Sequence, residues 1–235
     1  MKKVIIPNLI TSANFVSGLF AVYLAISNPS NLYIPALLII LSSIFDFFDG
    51  FVARLLKVTS EFGKQLDSFA DALSFGIVPA FIMFQMIKST TIANDYLPFV
   101  SFIIALFSVF RLAVFNITDQ KYEFSGLPTP AFAILVASIP LSLKWSSFLF
   151  NLKFVNQLYT NLLFLISVTL IFSFLLISRI KMIALKFSNF SFKNNILKYN
   201  LIIVSLLLII FFQFQALFFV IVLYIIFSII VNYKK

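Results

Sequence analysis

The sequence has no cysteine and no histidine. Disulfide bonds, zinc–thiolate sites and histidine-based acid–base catalysis are therefore excluded. Charged residues are also scarce, at 11% of the chain, whereas soluble domains average about 25%. Any catalysis must come from Asp, Glu, Lys, Arg, Tyr, Ser or Thr side chains, and only eight residues are acidic.

The chain is instead rich in apolar residues, at 62%, and Phe alone occurs 33 times. We predict an all-α, polytopic transmembrane helical bundle, because each span of a bilayer needs about 20 apolar residues. The expected spans are 9–27, 32–55, 66–87, 97–117, 130–149, 158–178, 196–212 and 215–232. The last two form one apolar run interrupted by Gln213 and Gln215, so seven spans are the alternative to about eight.

The net charge of +9 comes from basic residues near the ends of the predicted helices. We see no soluble basic face of the kind that nucleic-acid binding would require, so no nucleic-acid partner is expected. With eight spans, all of the seventeen Lys and Arg residues except Lys88, Lys144 and Lys153 fall on one side. Because basic loops stay in the cytoplasm, we expect both termini to be cytoplasmic.

The N-terminal segment resembles a signal peptide, with two lysines before an apolar run. We expect it to stay uncleaved, because it carries the polar residues Asn8, Thr11 and Asn14. Neither a linker nor an internal repeat is visible further along the sequence. We therefore expect one membrane domain, 1–235.

Half of the acidic residues lie together at the end of the second predicted helix and the start of the third: Asp46, Asp49, Asp67 and Asp71. Within each pair the spacing is three or four residues, which puts both carboxylates on one helix face. We expect the two helices to be antiparallel neighbours, so that their acidic faces converge. Carboxylates near membrane depth are costly and usually mark a site. A divalent cation would relieve their repulsion, and oxygen ligands suit Mg²⁺ or Mn²⁺.

Residues around this acidic cluster fit a phosphate-containing ligand. Gly50 and Gly63 leave room for a close approach, and Arg54 can hold a phosphate through bidentate contacts. Two other interpretations stay open. The carboxylates could be helix-end charges paired with Arg54, Lys57 and Lys64, or they could line the ion pathway of a cation transporter.

These residues also match a known signature, D-x2-D-G-x2-A-R-x8-G-x3-D-x3-D, at every fixed position and spacing. The matching residues are Asp46, Asp49, Gly50, Ala53, Arg54, Gly63, Asp67 and Asp71. In this the chain resembles the CDP-alcohol phosphatidyltransferase family. The resemblance implies that the four Asp residues bind two divalent ions, Mg²⁺ or Mn²⁺, which hold the diphosphate of a CDP-linked lipid. It further implies that Asp71 is the catalytic base, that Gly50, Ala53, Arg54 and Gly63 bind that lipid, and that the protein is a homodimer.

The flanking segments are similar to the membrane-spanning branch of the family that makes phosphatidylserine. The similar segments are 6–11 with Asn14 and Gly18, 59–80, 111–116 and 126–131. This similarity implies that CDP-diacylglycerol and L-serine react at a site that faces the cytoplasm and opens to membrane lipid, giving phosphatidylserine and CMP. Glycerol 3-phosphate or inositol phosphate are the alternative acceptors.

Three polar residues outside the core motif complete the expected site. Asn8 and Thr11 are expected to bind CDP-diacylglycerol, although they could instead cap the first helix. Arg111 is a cation in an apolar helix and needs an anionic partner. That partner is either the carboxylate of serine or a structural acid, Asp119 or Glu123.

Overall fold

The computed structural model describes residues 2–90, 95–117, 126–145, 153–183 and 192–233. Nearly all of these described residues are helical, and they include no β-strand. The helices are α1 Lys2–Ser27, α2 Tyr33–Leu56, α3 Glu61–Asp71, α4 Val78–Thr90, α5 Phe102–Ile117, α6 Thr129–Lys144, α7 Lys153–Tyr159, α8 Leu162–Leu176, α9 Phe192–Phe212 and α10 Phe214–Tyr233. The predicted all-α polytopic bundle is confirmed.

All eight predicted spans contain helix, but they differ in their ability to cross a membrane. Five described helical stretches are long and apolar enough, and the bent pair α7–α8 makes a sixth if it counts as one span. Helix α6 and the apolar part of α9 are shorter. Residues 146–149, which were predicted to extend α6, lie outside the described residues.

Two helix breaks correct the predicted spans. Gln213 has a φ of 50°, which ends α9, and α10 then packs against α9, so one long tilted helix in this region is wrong. A single helix over 158–178 is also wrong, because α7 and α8 meet at 72°. The side chain of Asn161 accepts a hydrogen bond of 3.2 Å from the Phe164 N–H and so caps α8 at the bend.

Helices α3 and α4 form one continuous span, Glu61–Thr90, with a wider turn inside it. Residues 72–77 of this span adopt a π-helical conformation, and the side chains of Ser74 and Phe75 are buried there. A π-helical turn is rare and often occurs at a functional site. Here it follows directly after Asp71.

The core of the bundle surrounds α6. Most of α6 is buried, because it is apolar or small on all sides and packs against α2, α4 and α10. The buried hydrophobic residues form one contiguous cluster that runs from Ala21 in α1 to Ile225 in α10. The acidic residues lie at one end of this bundle, and the loop between α1 and α2 lies at the other.

The connection after α8 is tied down on both sides, and we call residues 177–183 the strap. On one side, the N–H of Gly126 donates to the carbonyl of Ile180 at 2.9 Å. On the other, the Ile183 N–H donates to Ser228 Oγ, and Tyr224 donates its hydroxyl to the Ile183 carbonyl, both at 3.1 Å. The strap therefore links the start of α6 to α10.

Candidate active site

Helix α1 brings the two halves of the acidic motif together. It packs along α2 and also against α3. Helix α2 in turn contacts the π-helical turn and α4, which belong to the same continuous span as α3, so the second and third predicted spans are neighbours as expected. The buried face of α1 carries small residues, such as Ser17, Gly18 and Ala21, which allow both halves of the motif to approach it closely.

The carboxylates of Asp46, Asp49 and Asp67 converge, with one oxygen of each within 4.8 Å of the others. Asp71 is outside this triad but interacts electrostatically with all three. None of the four forms an ion pair with Arg54, Lys57 or Lys64, so the interpretation as paired helix-end charges is wrong. Within the described part of the chain, Asp67 Oδ1 and Asp71 Oδ1 are buried without a hydrogen-bond partner.

This donor set fits a divalent cation. Three carboxylates this close repel one another, and buried oxygens without partners are costly. A hard cation would bind these oxygens and cancel the repulsion, which matches the ligand preference of Mg²⁺ and Mn²⁺. The triad suffices to hold one ion; a second ion and a share for Asp71 stay predictions.

A cavity of about 480 Å³ opens beside the triad, a volume in the usual range for a small-molecule site. Its wall is made by the N-terminal half of α1, the last turns of α2, the following turn and the start of α3. Seven of the residues assigned from sequence line it: Asn8, Thr11, Asp49, Gly50, Ala53, Gly63 and Asp67.

The polar residues of α1 hold this wall in place. Thr11 donates its hydroxyl to Asp49 Oδ2 at 2.7 Å, which orients that carboxylate. A Cβ atom at Gly63 would lie 2.9 Å from both Asn8 Oδ1 and Ser60 Oγ, so glycine is needed for this close approach. Helix α1 begins at Lys2, so Asn8 and Thr11 lie in its interior, and the alternative that they cap it is wrong.

Two predicted cationic residues lie outside the cavity wall. Arg54 is exposed, and its guanidinium folds back to 3.9 Å from where a Cβ of Gly50 would be. Arg111 Nη1 donates to Thr129 Oγ1 at 3.5 Å, and Arg111 also interacts electrostatically with Asp71 and Tyr224. Both proposed structural partners of Arg111, Asp119 and Glu123, lie outside the described residues.

Several polar residues of this region were not predicted from the sequence to belong to the site. Asn116 Nδ2 donates to Ser68 Oγ at 2.7 Å, which ties the end of α5 to α3 beside Asp67. Thr129 accepts a hydrogen bond from Arg111, and Tyr224 interacts with Arg111 electrostatically. The amide of Asn14 is buried, and its backbone carbonyl accepts a hydrogen bond from Ser74 in the π-helical turn. The available signal was the presence of a polar side chain in an apolar helix, which is costly without a purpose.

Comparison with known proteins agrees with the geometry. Residues 4–172 match the family model described as CDP-alcohol phosphatidyltransferase, which is more than half of the chain. No solved structure matches the chain.

Three curated relatives carry the same name, CDP-diacylglycerol–serine O-phosphatidyltransferase. The Bacillus subtilis protein is 37% identical over 130 residues, which cover 53% of this chain and 69% of that protein. The Methanocaldococcus jannaschii protein is 38% identical over 136 residues, 57% of this chain and 60% of that protein. The Helicobacter pylori protein is 36% identical over 133 residues, 55% of this chain and 54% of that protein. The chain thus spans a little over two thirds of the first relative and less than two thirds of the other two.

Proposed function

Because this chain belongs to the CDP-alcohol phosphatidyltransferase family, we propose that it transfers the phosphatidyl group of CDP-diacylglycerol to the hydroxyl of L-serine. The observation that carries this proposal is the convergence of Asp46, Asp49 and Asp67 beside a cavity lined by the small residues of the same motif. The printed names of the relatives support serine as the acceptor.

The reaction replaces a phosphoanhydride bond with a phosphoester bond. The serine hydroxyl oxygen forms a bond to the phosphorus that carries diacylglycerol. The bond between this phosphorus and the bridging oxygen of the diphosphate breaks, and CMP leaves with the electron pair. The proton of the hydroxyl goes to Asp71, the proposed base. Because the sequence has no histidine or cysteine, direct attack by serine is simpler than a covalent enzyme intermediate.

The remaining site residues bind and orient in this proposal. Asp46, Asp49, Asp67 and Asp71 would hold the divalent ions, which neutralise the diphosphate and stabilise charge on the bridging oxygen when bound. Thr11 keeps the Asp49 carboxylate in place through its hydrogen bond. Gly50, Ala53 and Gly63 leave room for the nucleotide beside Asn8, and the exposed Arg54 is free to contact the diphosphate.

The membrane supplies the lipid substrate in this proposal. The outer face of α2 carries exposed Phe47, Phe48 and Phe51 beside the acidic residues, so acyl chains can stay in the bilayer during the reaction. The site would face the cytoplasm, where serine is available. A homodimer, as the family resemblance implies, is the proposed assembly.

A panel of acceptors tests the proposal. Purified protein is incubated with CDP-diacylglycerol and, separately, with serine, glycerol 3-phosphate and inositol phosphate, and the lipid product and CMP are quantified. We expect phosphatidylserine and one CMP per lipid with serine alone. Product only with another alcohol would refute serine as the acceptor. Cation flux through the protein in vesicles without CMP release would instead support a transporter.

Removal of the metal tests the acidic triad. Excess chelator should abolish turnover, and added Mg²⁺ or Mn²⁺ should restore it, because the converging carboxylates need a cation to hold a diphosphate. Activity is measured as CMP release before and after the additions. Full turnover in excess chelator would contradict the metal-dependent mechanism.

A further inference from the structure

The amide of Asn14 is a buried polar group without a visible purpose in the fold. Asn14 lies on α1 one turn beyond Thr11, and its side chain is 0% exposed. Within the described part of the chain, neither Nδ2 nor Oδ1 has a hydrogen-bond partner. An unsatisfied buried amide destabilises a protein, and an apolar side chain of the same shape would avoid that cost. Stability therefore gives no reason for an asparagine here.

Asn14 lies next to the acidic residues. Thr11 bonds to Asp49, and one and a half turns further along α1, Ser17 Oγ donates to the Leu38 carbonyl at 3.3 Å. Helices α1 and α2 are antiparallel, so Asn14 is level with the turn of α2 between residues 42 and 46. On its other side, Ser74 donates to the Asn14 carbonyl at 3.2 Å, one turn beyond Asp71.

Polar groups near Asn14 also lack hydrogen-bond partners among the described residues. Ser42, one turn deeper in α2 than Asp46, is fully buried, and its hydroxyl has no partner among the described residues. Asp71 Oδ1 is equally shielded and equally without a partner there. The hydrogen bond from Ser74 to the Asn14 carbonyl joins α1 to the π-helical turn one turn after Asp71, so the Asn14 amide lies on the helix that flanks the proposed base.

We infer that Asn14 binds the acceptor alcohol, with its Oδ1 accepting a hydrogen bond from the ammonium of the amino-acid substrate; this rests on the proposed function. An amide oxygen is a good acceptor for an ammonium, and it adds no further negative charge beside four carboxylates. Arg111, which interacts with Asp71 from the other side, is then left for the carboxylate of the same substrate.

The test compares two isosteric replacements of buried amides. Asn14→Leu removes the proposed contact, and Gln215→Met is the matched control. Gln215 is also fully buried with an unpartnered Oε1 in the described chain, but it lies at the opposite end of the bundle near Asn156. For each variant, Tm, Mn²⁺ affinity by calorimetry, and KM for serine and for CDP-diacylglycerol are measured.

Asn14→Leu should fold with an unchanged or higher Tm and should raise KM for serine about 10- to 100-fold, the range for a lost hydrogen bond to a charged group. Mn²⁺ affinity and KM for CDP-diacylglycerol should stay within about twofold of wild type. Gln215→Met should change Tm alone. If Asn14→Leu does not fold, Asn14→Ser replaces it, with the same expected rise in KM.

Two outcomes would overturn the inference. An unchanged serine KM in a folded variant would make Asn14 a structural residue, and a large loss of Mn²⁺ affinity would make it a support of the metal site. The proposed function fails differently, when wild-type protein releases CMP with another alcohol and not with serine. An alcohol without an ammonium group would overturn the ammonium contact as well, whereas wild-type activity with serine together with an unchanged serine KM in Asn14→Leu would overturn the inference alone.

Discussion

At the scale of single residues, Asp71 differs from the other three carboxylates of the motif. It stands at the junction of α3 and the π-helical turn, outside the triad, and it interacts electrostatically with Arg111. The oxygens of the triad lie close enough together to share a cation, whereas Asp71 contributes no oxygen to that cluster. This separation fits a carboxylate that accepts a proton better than one that only binds metal.

Replacing this carboxylate tests its role. Asp71→Asn should lower kcat by about 10²- to 10⁴-fold, the usual contribution of a general base, while CDP-diacylglycerol still binds. The matched variant Arg54→Ala should do the opposite, weakening CDP-diacylglycerol binding with a smaller effect on kcat. Steady-state kinetics and direct lipid binding separate the two. Near-normal turnover of Asp71→Asn would rule out Asp71 as the base.

Arg111 offers a second residue-scale prediction. If it binds the carboxylate of serine, Arg111→Lys should raise KM for serine, because lysine cannot make the planar bidentate pair. The contact is made equally in the ground and transition states, so kcat should fall only modestly and KM for CDP-diacylglycerol should change little. An unchanged serine KM in a folded variant would remove Arg111 from the site and leave the Asp residues unaffected.

From the sequence we predicted the residues that share a face of one helix. We missed the residues that come together from different helices. The four Asp residues were found because three- and four-residue spacing places them on shared helix faces. Thr129 and Tyr224 lie far from Arg111 in the sequence, and only the packing of α5, α6 and α10 brings them near it. No periodic pattern in one helix reports such a contact.

At the scale of elements, two glycines near the site meet different requirements. Gly126 has a φ of 77°, and a Cβ there would collide with the carbonyl oxygen of Leu176. Gly50 is an ordinary helical glycine, where the nearest atom to a Cβ is Arg54 Nη2 at 3.9 Å. The first glycine is required by the backbone, whereas the described neighbours of the second leave space for a Cβ, and we propose that this space serves the lipid substrate.

Alanine substitutions distinguish these two requirements. Gly126→Ala should destabilise the protein by at least about 1 to 2 kcal/mol from its backbone conformation alone, and the clash adds to this. Its Tm in detergent should fall by several degrees. Gly50→Ala should keep or raise Tm but weaken CDP-diacylglycerol binding, which is measured directly. Equal Tm losses in both variants would contradict this assignment.

Apolar length predicted where helices occur but not how they are interrupted. All eight segments contain helix, because a helix satisfies the hydrogen bonds of its own backbone in lipid. The bend at Asn161, the π-helical turn after Asp71 and the ties of the strap depend on individual side-chain and tertiary contacts. Hydropathy is insensitive to these contacts.

At the scale of the whole molecule, the contiguous core supports one domain over 1–235, which we propose for the entire chain. Lys88, Lys144 and Lys153 lie at or near the ends of α4, α6 and α7. The charge pattern predicts that the other basic residues lie on the side of the acidic triad, and we expect that side to face the cytoplasm.

A topology measurement follows from this charge division. Reporter enzymes fused after Lys235 or placed before Lys2 should both report a cytoplasmic location, because α9 and α10 are separate helices that pack against each other after the break at Gln213. A reporter inserted next to Lys153 should report the opposite side. A C-terminal fusion on the far side would mean that α9 and α10 do not cross the membrane as two spans.

The strap connects the last helix, α10, to the segment that follows α8. The family match ends at residue 172, inside α8, yet Tyr224 and Ser228 hold the strap from α10, and Tyr224 also reaches the surroundings of Arg111. A chain shortened to the matched residues would retain every motif carboxylate but would lose the strap and the α10 contacts that hold it. We therefore expect a working enzyme to need residues beyond those that the family comparison matches.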